Sequence, residues 1–414
     1  MPGPSLPSLS AKGSAALDDL LKTSVGGRTV PATYFGATSA DGPLYFNCAG
    51  ERVFGEPDKG EVTEDTILQL FSSTKLVTSV AVLQLLDKGV IDDLDNPALI
   101  EKHCPDLWKM DVIEGFSDDG KAITHKRKNP LTLKNLLSHS SGLSYPFTSP
   151  LLVQWEKETN APGIWSGTTE GFLQPLVYEP GTKWLYSVGI DWAGIFVERI
   201  TGQSLEEYFR EHIFTPCGIT TMTFYPTDEI KARMQQMVGR DVDHVGKLVH
   251  KPSIRPLDGK VGQLSGGGGL FGTSRDYLRF LQGVLASTKG DGKGLLSQRS
   301  YDLLFTNALP PRGADNTCYA DLARMAKGQT YHDPSQVEAE ELEHSIGLCL
   351  NPKDSVHGRK GGSGCWDGAA KTQYWLDPKT GIAAVCATQI LAPNPDPFME
   401  LYNKYERTLY DGLE

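Results

Sequence analysis

Five residues, Phe71-Ser72-Ser73-Thr74-Lys75, place a hydroxyl and an amine three positions apart at the start of an apolar run that ends at Gly89. On a helix, positions i and i+3 share a face, so Lys75 Nζ reaches Ser72 Oγ from one turn on. A serine at a helix N-terminus also meets unpaired backbone N–H groups and the positive end of the dipole, where developing negative charge is favoured. An adjacent base and an electropositive pocket are what a nucleophilic serine needs. The same residues equally describe an N-capping serine followed by a solvated lysine. Ser73 is out of register with Lys75 and reads as a bystander.

Two further stretches carry groups that such a serine would use. Pro180-Gly181-Thr182-Lys183-Trp184-Leu185-Tyr186 leads into a helix beginning near Asp191. A phenol fixed between that turn and the helix points into a cleft; beside a lysine ammonium its pKa would fall, which suits proton transfer between Ser72 and a leaving group. The alternative is a packing tyrosine with a local hydrogen bond. In Gly361-Gly362-Ser363-Gly364-Cys365-Trp366-Asp367-Gly368-Ala369, small residues let the backbone approach a ligand. An N–H from this edge, with that of Ser72, would hold an oxyanion. The alternative is a plain glycine-rich loop.

These groups need elements to position them. Residues 1–13 are rich in Pro, Ser and Gly and read as frayed. A short helix over Ala15 to Lys22 precedes two strands, Thr29 to Ala37 and Leu44 to Gly50, joined by the turn Ser39-Ala40-Asp41-Gly42. From Ser72, Leu76, Val80, Leu83 and Leu86 recur at helical spacing with few polar interruptions, which predicts a helix buried on most sides. Further helices are expected over Leu133 to Ser138, Ile190 to Thr201, Leu205 to Phe214 and Ser274 to Leu285. Tyr145 to Pro180 has weak periodicity and reads as a long structured loop. Gln373 to Leu376 and Ile382 to Gln389 form a hairpin, and Phe398 to Leu409 a last amphipathic helix. Strands at both ends around a helical middle give an α/β (α+β) fold: one central antiparallel sheet from both termini, flanked by helices, with an inserted, mainly helical domain. The expected division is 14–70 with 345–414 for the sheet and 71–344 for the insertion, the site lying at their junction.

Composition narrows the function. With 39% hydrophobic and 22% charged residues, the 414-residue chain is an ordinary globular one. A net charge of −11 and the lack of a basic cluster argue against nucleic acid. No basic-then-apolar leader and no run of eighteen apolar residues is present, so neither secretion nor a membrane span is expected. Seven scattered cysteines, odd in number, fit a reduced cytoplasmic protein. No Cys or His pair has zinc-ligand spacing and no phosphate loop is present, so neither metal nor cofactor is expected.

Taken together, Ser72-Ser73-Thr74-Lys75, Leu136-Leu137-Ser138-His139-Ser140-Ser141-Gly142-Leu143, Pro180-Gly181 through Tyr186, and Gly267-Gly268-Gly269-Leu270-Phe271 resemble the serine β-lactamase and penicillin-binding protein superfamily, in its class C β-lactamase and family VIII carboxylesterase branch. Val112-Ile113-Glu114-Gly115-Phe116, Ser141 through Tyr145 with Pro150-Leu151-Leu152, and Asp191-Trp192-Ala193-Gly194 look more narrowly like the fungal statin side-chain acyltransferases. The resemblance runs from about residue 15 to 410. It implies a β-lactamase-like fold, Ser72 as nucleophile, Lys75 as its base partner, Tyr186 as second acid/base group, and the N–H groups of Ser72 and Ala369 as oxyanion hole. Tyr145, Val188, Trp366, Asp367 and Gly368 would contact substrate.

Two departures steer the chemistry. Lactamases carry Lys-Thr-Gly on the strand edge facing the serine, whereas Lys379-Thr380-Gly381 here follows Asp377-Pro378 in a hairpin turn. The matching edge is Trp366-Asp367-Gly368, similar to the Trp-Gly-Gly of family VIII esterases. Val188 stands where lactamases keep an amide-binding asparagine. Ester or thioester chemistry gains support from both. The expected activity is that of a serine carboxylesterase or acyltransferase, a transesterase of secondary metabolism, which moves an acyl group from a small-molecule ester or thioester to an alcohol or water. The resemblance leaves room for an acyl-carrier partner. The pocket walls are expected in 145–180 and 312–344. A β-lactamase or D-Ala-D-Ala peptidase, and a non-catalytic ligand-binding protein on the same fold, are the alternatives.

Overall fold

The computed structural model describes residues 7–244, 246–257, 261–313, 315–329 and 332–414. Helix α1 (Ala11–Gly26) precedes strands β1 (Ala32–Ser39) and β2 (Pro43–Gly50); α2 (Thr74–Asp87), α3 (Gly189–Thr201) and α4 (Ser274–Leu285) follow. The chain then adds β3 (Glu343–His344), β4 (Cys349–Asn351), β5 (Ser363–Trp366), β6 (Thr372–Asp377), β7 (Ile382–Ala387) and α5 (Phe398–Asp411). The seven strands form one sheet in the order β2-β1-β7-β6-β5-β4-β3. Each pairing is antiparallel, and the first and last thirds of the chain meet where Tyr34 faces Ala387 and Ser39 faces Ile382. The fold is thus a mixed α/β one, an antiparallel sheet with helices on both sides.

Alternation along β1 explains the two layers. Phe35 and Ala37 pack with Leu17, Leu21, Trp375 and Tyr405 under α1 and α5, while Tyr34 joins Leu278, Tyr374 and Val385 on the α4 side. Phe35 stacks on Tyr405 at 4.3 Å, and the Tyr405 hydroxyl donates to Gly36 O at 2.7 Å. Every residue of α2 from Thr74 to Leu86 is buried, as its all-round apolar sequence implies.

Several expectations need correction. Ser72 is outside α2: it sits in a one-turn 3₁₀ segment, Phe71–Ser73, ahead of it. Of the stretch read as frayed, residues 1–6 lie outside the described residues, whereas the rest is ordered. Leu9 bridges Leu413, and Ser10 caps α1 by accepting from Gly13 N, so the helix begins before Ala15. Within Tyr145 to Pro180, Pro150–Thr159 is helical, opened by a proline at its first position and closed by Asn160 at φ 50°. Leu205 to Phe214 is α-helical only to Phe209 and continues as a π turn. For domains we keep the division at 14–70 with 345–414 against 71–344 as a proposal; α4, from the middle of the sequence, packs on β1 and β7. Among the described residues no helix is long and apolar enough to cross a membrane.

Candidate active site

Ser72 is presented by a strained turn. Phe71 before it has φ 44°, a left-handed conformation that costs a non-glycine residue of order 1 kcal/mol or more and persists only where packing enforces it. Packing does so here: Phe71 is buried and meets Trp165 edge-on at 6.4 Å. Ser72 caps nothing. Its Oγ lies 3.3 Å from Lys75 Nζ and accepts from the Tyr186 hydroxyl at 2.5 Å. Neighbouring Ser73 ties the turn to β6 instead, donating to Thr372 O at 2.8 Å.

Lys75, 1% exposed, is not solvated. It donates to Gly267 O at 2.6 Å and to the Tyr145 hydroxyl at 3.1 Å. Burial pushes its pKa down to about 8, against the opposing pull of Asp191 and Asp367. Tyr186 goes the other way from expectation. Burial raises its phenol well above the usual tyrosine value, outweighing the Ser72 and Trp366 hydrogen-bonding groups that lower it. The phenol therefore rests as a neutral O–H donor to Ser72.

Asp191 was not singled out from the sequence, yet it completes the anchoring of Lys75. Its carboxylate accepts from Gly267 N at 2.9 Å, Ser265 Oγ at 2.6 Å and Tyr145 OH at 3.3 Å. The Gly267 peptide and the Tyr145 phenol thus bridge carboxylate to amine along two routes. Position 267 tolerates only glycine, since a Cβ would lie 2.3 Å from Asp191 Oδ2. Tyr145, assigned to substrate, spends its hydroxyl on Lys75 and Asp191, and Val188 is fully buried with no surface to offer a ligand. Burial raises the Asp191 carboxyl while Lys75 lowers it.

The third stretch arrives as β5 ends. A Cβ on Gly368 would come within 2.2 Å of Thr372 Oγ1 and 2.3 Å of Leu70 O, so this glycine lets the edge lie against the backbone just before Ser72. Ala369 follows, exposed, with Lys371 at φ 67° closing the loop. Neither the Ser72 nor the Ala369 N–H is spent in the surrounding turn and loop bonds. Asp367 is half-buried, and burial pushes its carboxyl up to about 6 against Lys371 and Lys75. Lys379-Thr380-Gly381 forms the β6–β7 turn, pinned by Asp377 Oδ1 at 3.1 Å from Lys379 N and 3.0 Å from Thr380 N.

Aromatic rings wall the site. Tyr186 packs on His139 at 4.9 Å, Tyr145 at 5.0 Å and Trp366 at 5.4 Å. His139 and His344 are buried and held neutral; burial pushes His344 down to about 4. Of the expected pocket walls, 145–180 supplies Tyr145 and Trp165, and 312–344 supplies His344, 5.5 Å from Trp366. The helix Cys318–Ala326 instead lines a separate cavity of about 600 Å³.

Comparison with known proteins fits this geometry. The Beta-lactamase family matches residues 17–408. Monacolin J acid methylbutanoyltransferase of Aspergillus terreus is 31% identical over 408 residues, covering 95% of each chain. Lovastatin esterase of Penicillium rubens is 31% identical over 392 residues, covering 90% of this chain and 92% of its own. The unliganded structure of simvastatin synthase (LovD) from Aspergillus terreus superposes with a TM-score of 0.82 at 28% identity, covering 97% of this chain and 98% of that one.

Proposed function

The chain belongs to the beta-lactamase family and is an enzyme of the serine hydrolase and acyltransferase type, and we propose that it moves an acyl group from an ester or thioester through acyl-Ser72 to a small-molecule alcohol or to water. The observation that carries this reading is Ser72 Oγ held between the Tyr186 hydroxyl and a buried Lys75 whose pKa sits near 8. A lysine so lowered is partly neutral near neutral pH and accepts a proton.

In the first half-reaction Ser72 Oγ attacks the acyl carbonyl and its proton passes to Lys75. The oxyanion is received by the Ser72 and Ala369 N–H groups; one such donor is worth about 3 kcal/mol. Tyr186 gives its proton to the leaving alcohol or thiol and regains one from Lys75. The second half-reaction reverses these transfers with the incoming alcohol or water. Trp366, Asp367 and Gly368 border this edge and contact the acyl group or acceptor. A dry aromatic wall favours an alcohol over water. An acyl-carrier protein as donor, and a reducing, cytoplasmic setting in secondary metabolism, belong to the same proposal; the free cysteines support the setting.

Lys379-Thr380-Gly381 in the hairpin turn removes the cation that lactam or D-Ala-D-Ala substrates would meet, which ranks that reading second. The test is intact-mass spectrometry after mixing with p-nitrophenyl or N-acetylcysteamine acyl esters. Wild type gains the acyl mass, loses it on adding an acceptor alcohol, and Ser72→Ala gains none. No adduct and no turnover across a broad acyl panel would overturn the reading.

A further inference from the structure

Arg255 is a buried charge that the mechanism does not use. Arg255 is 7% exposed, donates Nη1 to Gly269 O at 2.6 Å, and lies over the Phe271 ring at 4.1 Å. Among the described residues no carboxylate offsets it: burial acts on the guanidinium, lowering its pKa to about 10. A buried cation without an anion is an unfavourable arrangement that most folds avoid by pairing. The acids bonded to the cavity's polar lining do not pair with it: Asp191 accepts from Ser265 Oγ and Gly267 N, and Glu198 from Gln263 Nε2 and Leu205 N.

Arg255 also lines a cavity of about 190 Å³, with Trp165, Phe172, Phe224, Gln263 and Ser265. That is room for about six waters, or for a small charged group with several carbons. One wall of the cavity lies against the residue that precedes Ser72. Trp165 on its wall meets Phe71, and a Cβ on Gly268 would lie 3.5 Å from the Trp165 ring and 4.0 Å from Phe71 C.

We propose that this cavity is an anion subsite, in which Arg255 binds a carboxylate carried by the substrate while the aromatic lining takes the attached hydrocarbon. As a substrate site it rests on the acyl-transfer reading above. Aromatic and apolar lining around one charged group is the usual make-up of an oriented small-molecule pocket. A guanidinium already braced by Gly269 O has little freedom to lose on binding, which favours a planar, two-point partner.

The test uses full-length Ser72→Ala protein, which separates binding from turnover, and isothermal titration with cyclohexanecarboxylate and with cyclohexanecarboxamide. The carboxylate is expected to bind at least about tenfold tighter than the amide, and Arg255→Gln to bring the two within about twofold. Because Arg255→Gln also disturbs the Gly269 contact, Leu257→Glu is measured alongside; it sets a carboxylate on the cavity lining and is expected to abolish carboxylate binding while leaving Arg255 in place. Equal binding of both probes, binding of neither, or an unchanged preference in Arg255→Gln would overturn the proposal. Acylation of wild type by a neutral p-nitrophenyl ester is followed separately. Its failure beside a preserved carboxylate preference would remove the acyl-transfer reading and leave an anion site.

Discussion

Replacing Asp191 by asparagine tests the charge logic of the site with little change of shape. With its oxygen at the Oδ1 position the amide still accepts from Gly267 N and Ser265 Oγ, while its nitrogen takes the Oδ2 position beside Tyr145 OH and can only donate there; the group carries no charge. Lys75 Nζ and Asp191 Oδ2 are linked through Tyr145 by hydrogen bonds of 3.1 and 3.3 Å, so they are at most 6.4 Å apart. At an effective dielectric constant of about 20, two unit charges at that distance interact by about 2.6 kcal/mol. One pKa unit corresponds to about 1.4 kcal/mol, so at that upper-limit distance the carboxylate raises the lysine by at least about two units. Removing it leaves burial less opposed, and the Lys75 pKa falls further below 8. The acidic limb of kcat/KM for Ser72 acylation reports loss of the Lys75 proton. In Asp191→Asn that limb should move from near 8 to about 6 or below. The plateau should fall by about tenfold, because the weaker base is also less well held. The assay is stopped-flow acylation by a p-nitrophenyl ester from pH 5 to 10. A limb that stays near 8 would mean Asp191 is uncharged beside Lys75, and a limb that rises would reverse the sign of the interaction; either refutes the reasoning.

Tyr186→Phe removes the O–H that donates to Ser72 Oγ, and acylation should fall by at least about a hundredfold in single-turnover measurements. Gly368→Ala forces a methyl against Leu70 O, a backbone atom that cannot swing away. The oxyanion edge should withdraw and kcat/KM drop by about tenfold or more, with a thermal midpoint lowered by a few degrees. Lys379→Ala, in a hairpin turn pinned by Asp377, should change ester turnover by less than about twofold; a hundredfold loss would restore Lys379 to the site.

The pairing of Ser72 with Lys75 was legible because helical spacing converts three positions of sequence into one shared face, and that survives even though Ser72 lies in a 3₁₀ turn. Lys379-Thr380-Gly381 was also readable, since Asp377-Pro378 before it and Gly381 within it mark a turn. Burial was not readable. The Tyr186 phenol was expected to lose its proton readily because Lys75 was visible and the low dielectric around both was not. Asp191 belongs to a motif of the family resemblance but sits in the first turn of α3, where an acid is commonplace for its interaction with the helix dipole, so nothing pointed to its place beside Lys75. The helix Pro150–Thr159 buries only Leu152, leaving no apolar stripe for periodicity to detect.

The Ser73 bond to Thr372 spans 299 positions, and the oxyanion edge is equally remote from the nucleophile in the chain. During synthesis, Ser72, Lys75 and Tyr186 leave the ribosome long before Gly368 and Ala369. Until β5, β6 and β7 dock beside β1, the serine has no second N–H donor and its turn has no anchor on the sheet. Such distant closure is slow, and on the proposed mechanism it would leave a growing chain without acyl-transfer activity until the sheet is complete. Products truncated before about residue 390 would be inert, and a cleavage in the last hairpin would switch off a finished enzyme without touching any of the three reacting side chains.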